Sequence, residues 1–286
     1  MLAIAWMTGT LASFCLMAIS IRELSGEIPV FQMLFVRSFI GLIFVLAILH
    51  LTRQTELKKS QKVKLHLFRN IFQYAGQYGW YLGIGLLPLA EVFALEFTIP
   101  FWTVIIAAIF LNEKITSRKV ISIVLGLAGV IVIVQPGIEI VDAASLIVLA
   151  AAVCFAVGHS ANKKLSATDK PVTILYFMCL LQAPFALLMA LFSWVWPDSL
   201  QWLWLISISL TALSAHYCLT KAMQTAEVSM VVTLDFLRLP LIAIVGVFLY
   251  QEQFEFAILL GGALMLLGNL VNLQRKEKSI PQEIEV

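Results

Sequence analysis

Two phrases, Leu95-Glu96-Phe97-Thr98-Ile99-Pro100 and Leu234-Asp235-Phe236-Leu237-Arg238-Leu239-Pro240, each set a carboxylate inside a long apolar run. A carboxylate at the centre of a membrane helix costs roughly 2.5–3.5 kcal/mol on insertion scales, so it marks a site more often than it fills space. The same phrase recurring about half a chain later points to a duplicated fold with a polar centre. That pattern belongs to carriers.

The surrounding composition agrees. Of 286 residues, 61% are hydrophobic and 13% charged, with a mean hydropathy of +0.95. A soluble domain of this length cannot bury so much apolar surface, which predicts an all-α membrane protein crossing the bilayer many times. No basic patch interleaved with aromatics suggests nucleic acid. Cys15, Cys154, Cys179 and Cys218 fall within apolar runs and lack disulfide or zinc spacing, so they read as packing residues, and neither metal nor cofactor is expected. The first run has no basic leader and no small-residue cleavage site, and is read as a retained span.

At about 20 apolar residues per crossing, ten transmembrane helices are expected: 2–21, 30–50, 67–87, 89–111, 120–135, 143–161, 172–196, 202–223, 228–250 and 254–273. Breaks at Ser25-Gly26, Gln135-Pro136-Gly137 and Pro197-Asp198 carry loop chemistry, and little more than Pro88 joins the third and fourth spans. Basic residues set the direction, since positive loops stay cytoplasmic. Arg53, Lys58, Lys59, Lys62, Lys64 and Arg69 group between spans two and three. Lys114, Arg118 and Lys119 follow span four; Lys163, Lys164 and Lys170 follow span six; Lys221 precedes span nine; Arg275, Lys276 and Lys278 follow span ten. Arg22 alone falls on the opposite side, so both termini are expected in the cytoplasm.

Five spans is an odd number, so a duplicated half must enter the membrane the other way up. Arg22-Glu23-Leu24-Ser25 echoes Lys163-Lys164-Leu165-Ser166, and Ala90-Glu91-Val92 echoes Ala226-Glu227-Val228. Phe110-Leu111-Asn112-Glu113 matches Phe248-Leu249-Tyr250-Gln251-Glu252, and Pro29 and Pro171 follow spans one and six at similar distances. The expected organisation is two inverted five-helix repeats, residues 1–137 and 138–274, followed by a cytoplasmic tail, 275–286.

Phe35-Val36-Arg37, Thr98-Ile99-Pro100-Phe101, Leu111-Asn112-Glu113-Lys114 and the pair Gly126 and Gly129 carry a family likeness. The chain resembles the EamA-type branch of the drug/metabolite transporter superfamily over essentially its whole length. The resemblance implies two inverted five-helix halves and movement of small organic metabolites without ATP hydrolysis. Around Arg37, Ile99-Pro100-Phe101 and Asn162-Lys163-Lys164 the pattern is similar to that of S-adenosylmethionine uptake carriers. Riboflavin carriers and amino-acid exporters of the same superfamily share much of it.

The polar groups inside the spans are the candidate site. Arg37 and Glu96 lie at similar depths from one side and are expected to meet, as a gate or as a fixed ion pair. Asp235 and Arg238, three residues apart, share a helix face and partly neutralise each other. Pro100 and Pro240 each remove a backbone hydrogen bond and are expected to kink their spans. Tyr74, Gln77, Tyr78 and Tyr81 follow an i, i+3, i+4, i+7 spacing and form one face, suited to a planar or heteroaromatic ligand, or to interhelical packing. His216, with a side chain that ordinarily titrates near neutrality, and Trp102, after Pro100, complete the candidates. His159 reads as interfacial; Trp194, Trp196, Trp202 and Trp204 read as an outer belt. Gly126, Gly129, Gly261, Gly262 and Gly268 read as close helix contacts.

These residues suggest a secondary transporter in the inner membrane of a bacterial cell, monomer or homodimer, with a substrate such as S-adenosylmethionine, riboflavin or an amino acid. Glu96 or Asp235 is the candidate proton carrier. The alternatives are a membrane-embedded enzyme, for which the sequence offers no clustered acids or nucleophile–base pair, and a channel, for which polar stripes are too few.

Overall fold

The computed structural model describes residues 2–53, 59–110, 116–134, 143–165, 168–225, 231, 234–253 and 255–273. The described residues form an all-helical protein: α1 (Leu2–Leu24), α2 (Val30–Leu51), α3 (Val63–Leu86), α4 (Leu89–Glu96), α5 (Ile99–Phe110), α6 (Ser117–Val134), α7 (Ala143–Leu165), α8 (Pro171–Ala190), α9 (Ser199–Thr225), α10 (Arg238–Tyr250) and α11 (Phe256–Leu273). Six helical stretches are long and apolar enough to cross a membrane, and α10 and α11 are shorter apolar helices. The apolar runs of the sequence thus fold into the helices of a multi-pass membrane protein. Several expected positions lie outside the described residues: Leu111-Asn112-Glu113-Lys114, Pro136-Gly137, Ala226-Glu227-Val228 and the tail after residue 273.

Three boundaries differ from the sequence reading, each for a physical reason. The run 89–111 is not one rod: α4 stops at Glu96, a turn holds Phe97-Thr98, and α5 starts at Ile99. Pro100 has no N–H to offer the Glu96 carbonyl, so the ladder is broken there. Thr98 repairs part of it, its N–H and its Oγ1 both donating to the Leu95 carbonyl at 3.1 and 2.6 Å. The second phrase breaks in the same register. Residues 234–235 are helical, Phe236-Leu237 turn, and α10 begins at Arg238, two residues before Pro240. Finally, α3 begins at Val63 rather than 67, so Arg69 is a buried helical residue and not part of a loop.

The main packing partners are α1 with α9, α3 with α7, α2 with α8, and α6 with α11. At α6–α11 the backbones nearly touch. A Cβ on Gly129 would lie 2.7 Å from the Gly261 carbonyl oxygen, so only glycine fits. Among the described residues the larger of two buried clusters joins most of the elements and includes Phe93, Leu95, Phe97, Phe236 and Leu239.

Each end of the bundle carries a polar clasp. At one end, Arg22 of α1 donates to the Ile84 carbonyl at 2.5 Å and forms an ion pair with Glu252. The other Glu252 oxygen accepts the Leu89 N–H at 3.0 Å, placing negative charge at the start of α4. Gln251, at φ +54°, supplies the left-handed turn that swings Glu252 back over Gly246, where a Cβ would collide with its carboxylate. At the other end, Asp169 takes hydrogen bonds from Ser60 Oγ (2.5 Å) and from His66 Nε2 (2.7 Å), and the His66 ring stacks on Phe177.

Candidate functional site

The two broken phrases meet. Phe97 and Phe236, the turn residues, stack face to face with centroids 4.2 Å apart. Beside them Arg238 Nη2 reaches both acids, at 3.4 Å from Glu96 Oε1 and 3.2 Å from Asp235 Oδ2. Trp80 of α3 donates from Nε1 to the second Glu96 oxygen at 2.9 Å. Phe14, Phe93 and Phe97 surround the guanidinium, with centroids 4.4, 5.1 and 5.0 Å from its carbon. Such rings favour a cation and exclude water from it. The side chain of Arg238 is 4% exposed, whereas Glu96 and Asp235 remain 16% and 24% exposed. The carboxylates therefore border accessible space while the cation between them is sealed. One cation thus serves two acids.

The expected pairing of Arg37 with Glu96 is not the one the structure makes. No salt bridge joins them; Glu96 turns to Arg238 and Trp80. Spacing along each span does not fix azimuth, and Arg238 enters beside Glu96 where α10 packs on α4. Arg37 instead borders a cleft among α2, α8 and α9, with Cys179, Gln182, Ser209 and His216. His216 is exposed and meets Phe14 edge-on at 6.1 Å. His159, expected at an interface, is also exposed and lies within electrostatic reach of Arg69.

The α3 stripe turns towards α2 and α8. Tyr78 stacks on Phe31 at 4.5 Å, and Tyr74 packs between Phe31 and Phe185. Tyr74, Gln77 and Tyr81 are buried, yet Tyr74 Oη, Gln77 Oε1 and Tyr81 Oη have no partner among the described residues. Unsatisfied buried polar atoms cost about 1–3 kcal/mol each, more than packing alone explains. Trp102 is placed elsewhere. It donates to Thr98 Oγ1 at 3.1 Å and borders a groove against Gly126 and Leu127 of α6. Among the expected belt residues, Trp196 is 82% exposed and Trp202 38%, but Trp204 packs on the core. Sequence reasoning passed over Phe14, Phe93, Arg69, Gln182 and Ser209. Gln182 and Ser209 were findable as polar residues within apolar spans; the phenylalanines carried no distinguishing signal.

The fold and this interior network define a multi-pass helical membrane protein built around paired ionised groups. The model of the EamA-like transporter family matches residues 1–135 and again 143–274, and the chain belongs to that family. It is 22% identical over 283 residues to an S-adenosylmethionine uptake transporter of Rickettsia bellii, covering 99% of this chain and 97% of the relative. It is 29% identical over 212 residues to a riboflavin transporter of Vibrio cholerae, covering 73% and 71%. A pseudopaline exporter of Pseudomonas aeruginosa is 24% identical over 93% of each chain. A crystal structure of another protein shares the fold, with a TM-score of 0.66 at 20% identity over 96% of this chain and 98% of that one.

Proposed function

We propose that the chain is a secondary transporter that moves a small organic metabolite across the cytoplasmic membrane by alternating access. Its working parts are two inverted five-helix halves, residues 1–137 and 138–274, with both termini and the tail 275–286 on the cytoplasmic side. The helix pairings support this reading: exchanging α1 with α7, α2 with α8, α3 with α9 and α6 with α11 maps the main packing partners onto themselves. The relatives' names support a metabolite as cargo and include uptake as well as export.

The observation that carries the proposal is the sharing of Arg238 by Glu96 and Asp235. One acid comes from each half, so any movement of the halves that separates the two broken spans must redistribute this charge. A carboxylate taken out of water can shed its charge by binding a proton, which makes Glu96 and Asp235 the coupling groups and Arg238 the element that selects between them. Gln77, Tyr78, Tyr81 and His216 are the proposed substrate-facing residues, with Tyr74 supporting Tyr78 through Phe31. Counterflow of radiolabelled S-adenosylmethionine and riboflavin into proteoliposomes tests the reading. Glu96→Gln is expected to abolish proton-driven accumulation and to spare exchange. Unchanged pH dependence in that variant removes Glu96 as the coupling site.

A further inference from the structure

Arg238 is neutralised twice over, but two other cations in the helical interior are not. Arg37 of α2 and Arg69 of α3 are each 8% exposed. They act on one another electrostatically, and both act on Cys179. Among the described residues neither has a carboxylate within ion-pairing distance. Arg37 makes no side-chain hydrogen bond there, although its guanidinium borders the cleft shared with Gln182, Ser209 and His216. Arg69 has only a 3.3 Å bond to Asn70 Oδ1, and its buried Nε is unpartnered. The same Asn70 oxygen accepts from Gln182 at 3.2 Å, which ties Arg69 to the wall of the cleft. In this conformation the cleft is narrow, with a cavity volume of about 20 Å³ that opens partly to solvent.

A guanidinium cannot shed its charge by losing a proton, and an unpaired charge inside protein is among the costliest things to bury. Arg69, held behind the cleft wall through Asn70 and Gln182, adds a second charge of the same sign and compounds the cost. We infer that Arg37 and Arg69 form a carboxylate-binding site, the substrate itself supplying the missing counter-charge. Two planar donor forks can each take a carboxylate bidentately. The inference rests on the transporter reading and names the substrate class: metabolites that carry a free carboxylate, as amino acids and amino-acid-bearing nucleosides do. His216 lies within electrostatic reach of Arg37, Arg69 and Arg238. It also meets Phe14, one of the rings around Arg238, and so links the cleft to the Glu96–Arg238–Asp235 network.

Phenylglyoxal labelling of the full chain in proteoliposomes, mapped by peptide mass spectrometry, tests the site. Acetate, L-methionine and S-adenosylmethionine serve as carboxylate probes, with acetamide and the two methyl esters as controls. Arg37 is expected to be modified, and the free acids to slow that modification several-fold while the controls do not. Arg69→Gln is expected to weaken the protection at Arg37, and Arg69→Lys to restore part of it. Arg37 refusing the reagent, no acid protecting, or esters protecting as well as acids would each overturn the inference. Counterflow on the same vesicles separates the two readings. Protection without transport leaves the site and removes the transporter; transport of a neutral solute without protection does the reverse.

Discussion

Phe97 and Phe236 stand at corresponding places in the two matched phrases and stack on each other, 4.2 Å between centroids and 14° between planes. Each is the residue at which its helix breaks. The two kinks are thus physically joined. Replacing either phenylalanine by alanine should cost about 3–5 kcal/mol as a buried aromatic truncation, and the pair should show a coupling of about 0.5–1.5 kcal/mol beyond the area lost. A double-mutant cycle on unfolding in mixed micelles measures that coupling; strict additivity would show that the rings only share a neighbourhood.

Arg238 is the hub of the charged network, so its removal should hurt more than removal of either acid. Arg238→Leu leaves Glu96 and Asp235 facing each other without their cation, at an expected cost of about 3–5 kcal/mol. Glu96→Gln keeps an acceptor for Trp80 and should be milder. Melting temperatures in detergent rank the two, and restoration of Arg238→Leu by a second change, Asp235→Asn, would confirm that repulsion is the cause.

The Asp169 clasp lies outside the spans and should titrate. Partial burial on its own would raise the Asp169 carboxyl, but hydrogen bonds from Ser60, His66 and Thr168 outweigh it and hold the group below its usual range. A depressed carboxylate stabilises the fold above its unfolded pKa and loses that contribution as pH falls through the folded one. The native protein should therefore lose stability on acidification from about pH 4 downward. Asp169→Asn should be less stable at neutral pH and lack that component. Parallel acid-melting curves for the two proteins would count against it.

Glu252 ties together α1, the α3–α4 turn and the chain after α10. Glu252→Gln should release Arg22 and loosen that end while leaving the interior network intact. Cys15, partly buried on α1 and within electrostatic reach of Arg238, reports access to the interior. Its modification by a membrane-impermeant thiol reagent applied from the Glu252 side should accelerate several-fold in the variant, with Cys154, Cys179 and Cys218 replaced by serine. An unchanged rate would mean that the clasp does not seal.

Membrane character and most crossings were legible because burial in lipid requires long unbroken apolar runs, and those survive in a single sequence. The breaks at residues 97–98 and 236–237 were half legible: Pro100 and Pro240 announced a kink, but not that each helix would stop before its proline. Asp235 with Arg238 was readable from a three-residue spacing. Arg238 with Glu96 was not, because 142 residues separate them and only the crossing of two helices brings them together. Arg69 was misplaced for a related reason. Basic residues near a helix start look like loop, and nothing local says that α3 is continued inward by Asn70, Gln73 and Gln77.

At Gly129 and Gly261 two helices approach until backbone meets backbone, with no layer of side chains between them. A contact of this kind leaves no room for even one added methyl group on either helix. Any enlargement at Gly129 or Gly261 therefore pushes the two halves of the chain apart at this edge of the bundle, and the seam is a place where sequence change is registered directly by the backbone.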